Sequence, residues 1–144
     1  MVLKSFSYLE GLLTLLLSIF FSILLIILYK ISKCYFYPNT TDPLLRNIYK
    51  SIDGWTLSHF FYFAYITYIF PTYIYELILL GIFWELFEEL FGLLGLIYKD
   101  QKYKWIKDCL EDYNHPGRWW YGKKEDILSN MLGILYGLLL RYFI

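Results

Sequence analysis

Charge is scarce in this chain. Of its 144 residues, 13 are basic and 13 acidic, 18% in all, where a soluble domain carries about 25%. Cysteine (two), histidine (two) and proline (four) are also few. With no CxxC pair and no histidine at metal spacing, the cysteines give no zinc or redox site. Two histidines are too few for a multi-histidine iron centre. The net charge of zero removes bulk attraction to nucleic acid, so no nucleic-acid partner is expected. Hydrophobic residues make up 58% of the chain and aromatics 23%, in uninterrupted runs that a soluble fold of this size could not hide. A soluble enzyme and a disordered tail are thereby excluded. The composition is that of a small all-α integral membrane protein.

An ~30 Å hydrocarbon core takes ~20 helical residues. Residues 11–29 hold no charge between Glu10 and Lys30, and the run is longer than a signal-peptide core of about 7–15 residues. We therefore read it as an uncleaved span. Further spans are expected over about 55–70, 72–91 and 125–142, the second and third joined at Pro71. Together they form a four-helix membrane bundle in a single domain. Residues 101–113 place Trp105, Ile106, Cys109, Leu110 and Tyr113 at helical spacing opposite lysines, the pattern of an amphipathic helix in the interface. Cys34, just past the first run, reads as an interfacial thiol, with acylation as the rarer alternative.

Four spans put loops 30–54 and 99–124 on one side. They hold four and seven Lys/Arg respectively, and Lys4 and Arg141 are the other two. The positive-inside rule then places both loops in the cytosol. The sequon Asn39-Thr40-Thr41 would there go unused.

Ionisable groups inside a span cost roughly 2.5–3.5 kcal/mol each even on a lenient scale, and they mark function by default. Glu85, Glu88 and Glu89 share one face of the third span at i, i+3 and i+4. Asp126, Asn130, Gly133 and Gly137 form a polar-and-small stripe on the fourth, and His59 lies early in the second. The expected topology brings all of these to one depth, in the cytosolic half. Several carboxylates in low dielectric need a compensating charge. Arg118 and the lysines of loop 99–124 supply part of it, and a hard divalent cation, which prefers oxygen ligands, would supply it better. The residues alone leave two readings open. One is a cation on Glu85, Glu88, Asp126 and Asn130 with His59 beside it; the other is an interhelical hydrogen-bond network with some glutamates protonated. Glu76 and Glu89 are assigned to the interface or to another helix, and Asp53 to a helix cap.

The same residues carry a resemblance. Trp84-Glu85-Leu86-Phe87-Glu88, Trp119-Trp120 and Asp126-Ile127-Leu128-Ser129-Asn130-Met131-Leu132-Gly133, with His59-Phe60 before them, resemble in order the signature of eukaryotic-type phosphatidylserine synthases. The resemblance covers about residues 53–140. It implies calcium-dependent headgroup exchange, serine replacing choline or ethanolamine on a phospholipid, in the endoplasmic reticulum or a related endomembrane. It also implies His59 as acid/base group, Glu85, Glu88, Asp126 and Asn130 around the cation, and Arg118 at the headgroup phosphate. The expected partners are the bilayer and a phospholipid headgroup, with a homo-oligomer left open. Asp53, His59, Glu85, Arg118, Asp126, Asn130, Gly133 and Gly137 are also similar to the pattern of VanZ-like membrane proteins. That second resemblance implies an architecture and a site more than a reaction, and leaves a non-enzymatic protein that binds a headgroup or ion as the alternative.

Overall fold

The computed structural model describes residues 8–37, 42–97 and 122–144. All regular structure among them is helical: α1 (Tyr8–Phe36), α2 (Gly54–Ile69), α3 (Ile74–Ile97) and α4 (Lys124–Phe143), with short 3-10 turns at Pro43–Leu45 and Pro71–Tyr73. The expected interfacial helix over 101–113 lies outside the described residues.

α1 is long and apolar enough to cross a membrane. Its 29 residues would reach about 43 Å. Polar side chains within it turn back on the helix, Thr14 Oγ1 donating to the Glu10 carbonyl at 2.8 Å and Ser22 Oγ to the Ser18 carbonyl at 2.9 Å. Hydroxyls survive in apolar surroundings by this bonding. Cys34, in the last turn, is disulfide-bonded, not the thiol the sequence led us to expect.

α2 and α3 differ from two independent spans. α2 has 16 residues, about 24 Å of helix, and ends where Pro71 forces Phe70 out of the helical region (φ −120°, ψ 58°). Together with α3 as far as Leu90 it has the length and composition of one crossing. A bend of 114° makes the pair a broken span or a re-entrant hairpin. By length and composition α1 is the one single-helix span among the described residues, so a four-span bundle is not established.

The most extensive helix pair is α2 against α4. Its closeness follows from two glycines. A Cβ at Gly133 would collide with the Phe60 carbonyl, and one at Gly137 with the Ala64 carbonyl. Small residues at a contact let two helix backbones approach this closely. Phe63, Ile66, Tyr73, Leu77, Ile134 and Leu15 of α1 form the buried core.

α1 runs antiparallel to α2 and is held at its ends. The Tyr73 hydroxyl donates to the Tyr8 carbonyl at 2.7 Å, and the Tyr8 hydroxyl donates to Glu76. At the other end Asp42 gathers Tyr29 Oη (2.7 Å), Lys30 Nζ (2.9 Å) and Trp55 Nε1 (3.4 Å). The Asp42 side chain also accepts from the Leu44 N–H. Burial alone would raise the Asp42 carboxyl, but Lys30, the Tyr29 phenol and that N–H outweigh it and hold the group below its usual range.

Candidate metal centre

Three helices build the site. α2 starts at Asp53, whose side chain caps the Thr56 N–H at 2.9 Å, and His59 projects one and a half turns further on. α4 begins where Gly122 and Lys123 cross α3; a Cβ at Gly122 would strike the Glu85 carbonyl, and the Lys123 N–H donates to Glu85 Oε2 at 3.2 Å. That crossing fixes Asp126, one turn later, against α2. Its Oδ1 accepts from the Thr56 hydroxyl at 2.5 Å, while the same hydroxyl lies 3.1 Å from Asp53 Oδ1. A hydroxyl has one proton, so the shorter contact, to Asp126, has the better claim on it.

His59, Glu85, Glu88 and Asp126 each offer a ligand atom, and these atoms all lie within 4.8 Å of one another. The three carboxylates are 3–5% exposed, so the group is shielded from water yet converges on one point. Such a buried group could hold a metal ion. Behind it stands Asn130, fully buried. Its Oδ1 lies 2.9 Å from His59 Nδ1, and its Nδ2 donates to the Gly81 carbonyl and to Glu85 Oε1, each at 3.3 Å. Since Oδ1 can only accept, Nδ1 carries the proton in this bond, and the same nitrogen lies 3.2 Å from Glu85 Oε1. Asn130 thus orients the imidazole as an outer partner orients a metal-binding histidine. A hard cation would have three carboxylates as oxygen donors.

Of the residues singled out in the sequence, His59, Glu85, Glu88 and Asp126 meet at one point, and Asn130 braces two of them. Glu89 is half-buried next to the group without joining it, and Glu76, also half-buried, accepts from Tyr8 of α1 away from the group. Asp53 is the expected cap and also pairs with the Lys123 ammonium. Arg118 and Trp119-Trp120 lie outside the described residues. Sequence reasoning did not single out Thr56 or Ser129, and it reached Lys123 only as one of the loop 99–124 lysines that supply compensating charge. Thr56 had a signal, standing three residues after the capping Asp53. Ser129, whose hydroxyl donates to the Thr56 carbonyl at 2.7 Å, had none, because its role depends on the α2–α4 crossing; the loop lysines were expected near carboxylates, but that Lys123 meets Asp53 was not legible.

The group opens on a cavity of about 340 Å3 between α1 and the other helices, with Lys30, Trp55, His59, Glu88, Lys123 and Asp126 at its polar end. Comparison of the chain with protein-family models, with curated proteins and with solved structures finds no match.

Proposed function

We propose that the chain is a membrane enzyme that exchanges phospholipid headgroups, holding a divalent cation, calcium by preference, on Glu85, Glu88 and Asp126. The observation that carries this reading is the convergence of these carboxylates and His59 within 4.8 Å at the polar end of an otherwise apolar cavity. A bound cation would neutralise charge growing on the phosphate oxygens. His59 Nε2 takes the proton from the incoming serine hydroxyl. The serine oxygen forms a bond to phosphorus, the bond from phosphorus to the choline or ethanolamine oxygen breaks, and that oxygen receives the proton from His59. Asn130 keeps the imidazole in the tautomer this transfer needs.

The same proposal puts α2, α3 and α4 in the bilayer beside α1, with loops 30–54 and 99–124 on the cytosolic side of an endomembrane. Exposed Phe61, Tyr65, Phe83, Leu90, Leu128 and Leu135 support immersion, since water does not favour such a surface. The opposite orientation has one observation in its favour, the disulfide at Cys34, a bond that persists in oxidising compartments. Addition of a glycan at Asn39 would decide for that orientation.

The test is incorporation of labelled serine by the purified protein in phosphatidylcholine and phosphatidylethanolamine nanodiscs, with and without calcium. Calcium-dependent label in lipid, absent from Glu85→Gln, is the expected result. No label from a folded protein that still binds the cation would overturn headgroup exchange for these donors, leaving a protein that binds a headgroup or ion without turnover.

A further inference from the structure

The cavity beside the metal centre is charged at one end only. Lys30, His59, Glu88 and Asp126 stand at that end, and Ile19, Ile23, Phe63 and Leu80 line the deeper part. Two hydroxyls lie among the deeper residues, and neither offers a ligand a hydrogen bond. Ser22 donates to the Ser18 carbonyl at 2.9 Å, and the buried Tyr62 hydroxyl has the Ser22 oxygen beside it to accept its proton. A polar group lodged there would lose its water without gaining a partner. The deeper part therefore suits hydrocarbon alone.

Its dimensions say how much. From Ile19 to Lys30, the lining residues of α1 extend over roughly 16 Å at 1.5 Å per residue, about half of an ~30 Å hydrocarbon core. The volume of about 340 Å3 is room for roughly eleven groups at the ~30 Å3 that one water occupies, and a methylene is of similar size. One acyl chain has that bulk over that length; two do not fit side by side. We propose that the cavity seats a single acyl chain of a lipid whose phosphate lies at the metal centre, and that the second chain of a two-chained lipid stays outside in the bilayer. A single-chain lysophospholipid then binds as well as its diacyl parent, because the outer chain meets an apolar surrounding with or without the protein. This rests on the headgroup reading above and adds to it the number of chains the site holds.

The test is competition of 1-acyl and diacyl phosphatidylcholines of the same chain length against a spin-labelled phosphatidylcholine. The protein is solubilised with calcium in a sterol-based detergent, whose fused rings are too broad for a slot one chain wide. At equal mole fractions in the micelle, both lipids are expected to displace the label from wild type equally. Ile23→Trp and Leu80→Trp, which fill the slot from α1 and from α3, are expected to weaken both lipids by about tenfold or more. Unchanged Mn2+ affinity shows that each variant is folded. A preference of about tenfold or more for the diacyl lipid, or lipid binding undiminished in both variants, overturns the one-chain inference and leaves the headgroup reading intact. Binding of neither lipid by wild type, with Mn2+ still bound, overturns both.

Discussion

Replacing Asn130 with alanine separates a metal centre from a structural network of the same residues. The side chain is fully buried and makes one short contact, 2.9 Å to His59 Nδ1, and two longer ones at 3.3 Å. The Gly81 carbonyl lies within α3 and retains its helical bond, so its loss is small. Glu85 keeps the Lys123 N–H. The main effect is that the His59 Nδ1–H loses its 2.9 Å acceptor and keeps only Glu85 Oε1 at 3.2 Å, about 0.5–1.5 kcal/mol of stability. If the group binds a cation, the freed imidazole also costs affinity, about 10–100-fold for a lost outer partner. Ser129→Ala is the control. It removes a buried 2.7 Å bond to the Thr56 carbonyl, worth about 0.5–1.5 kcal/mol, and touches no candidate ligand. Free Mn2+ measured by electron paramagnetic resonance during titration of detergent-solubilised protein gives the affinities, and thermal unfolding gives the stabilities. Both variants should unfold earlier, and only Asn130→Ala should bind Mn2+ more weakly. Wild-type affinity in Asn130→Ala, or an equal loss in Ser129→Ala, would refute the reasoning.

Calcium at a hundredfold excess over its dissociation constant should stabilise the wild type by about 2.7 kcal/mol. A chelator should remove that gain, and Asp126→Asn should be indifferent to either; an equal thermal shift in the variant would rule out Asp126 as a ligand. Gly133→Ala should destabilise by about 1–3 kcal/mol, because its Cβ meets the backbone of Phe60 and Ala64. Gly81→Ala should cost less, since its Cβ comes no nearer than 3.3 Å to any neighbour, against 2.4 Å at Gly133; unfolding midpoints in the reverse order would contradict the packing argument. Asp42 is held below its usual pKa in the folded protein, so its contribution is complete above the unfolded value of about 3.9 and is lost as pH falls through the folded one. Hydrogen exchange in the last turns of α1 should therefore quicken only in acid for wild type and already at neutral pH for Asp42→Asn; identical profiles would show that Asp42 does not hold the helix.

Much of the site was legible in the sequence, because helical periodicity is local. Glu85 with Glu88, and Asp126 with Asn130, each share a face at spacings any helix imposes, and a carboxylate within an apolar run stands out by its cost. The helices themselves follow from the same local rules. The runs 11–29, 55–70, 72–91 and 125–142 overlap α1 to α4, although α1 and α3 run seven and six residues past the expected ends, and Pro71 marks a break wherever the chain goes afterwards. Periodicity cannot say how far two helices are bent or which atom of a shared face meets which partner. The 114° angle between α2 and α3 comes from how Phe70 leaves the helical region and from the packing of both helices on α4. Taken singly, only α1 among the described helices has the length and composition of a span, because α2 is short and α3 and α4 carry several charges, where hydropathy had promised four. Asn130 reads in the sequence as one more oxygen for a cation, yet the approach of α4 to α2 at Gly133 and Gly137 turns it toward His59. Lys123 and Ser129 acquired partners only through that contact. The sequence by itself determined which residues are helical and which polar groups must find one another out of water. Tertiary structure decided who pairs with whom, because that depends on backbone separations that two glycines set and no local pattern encodes.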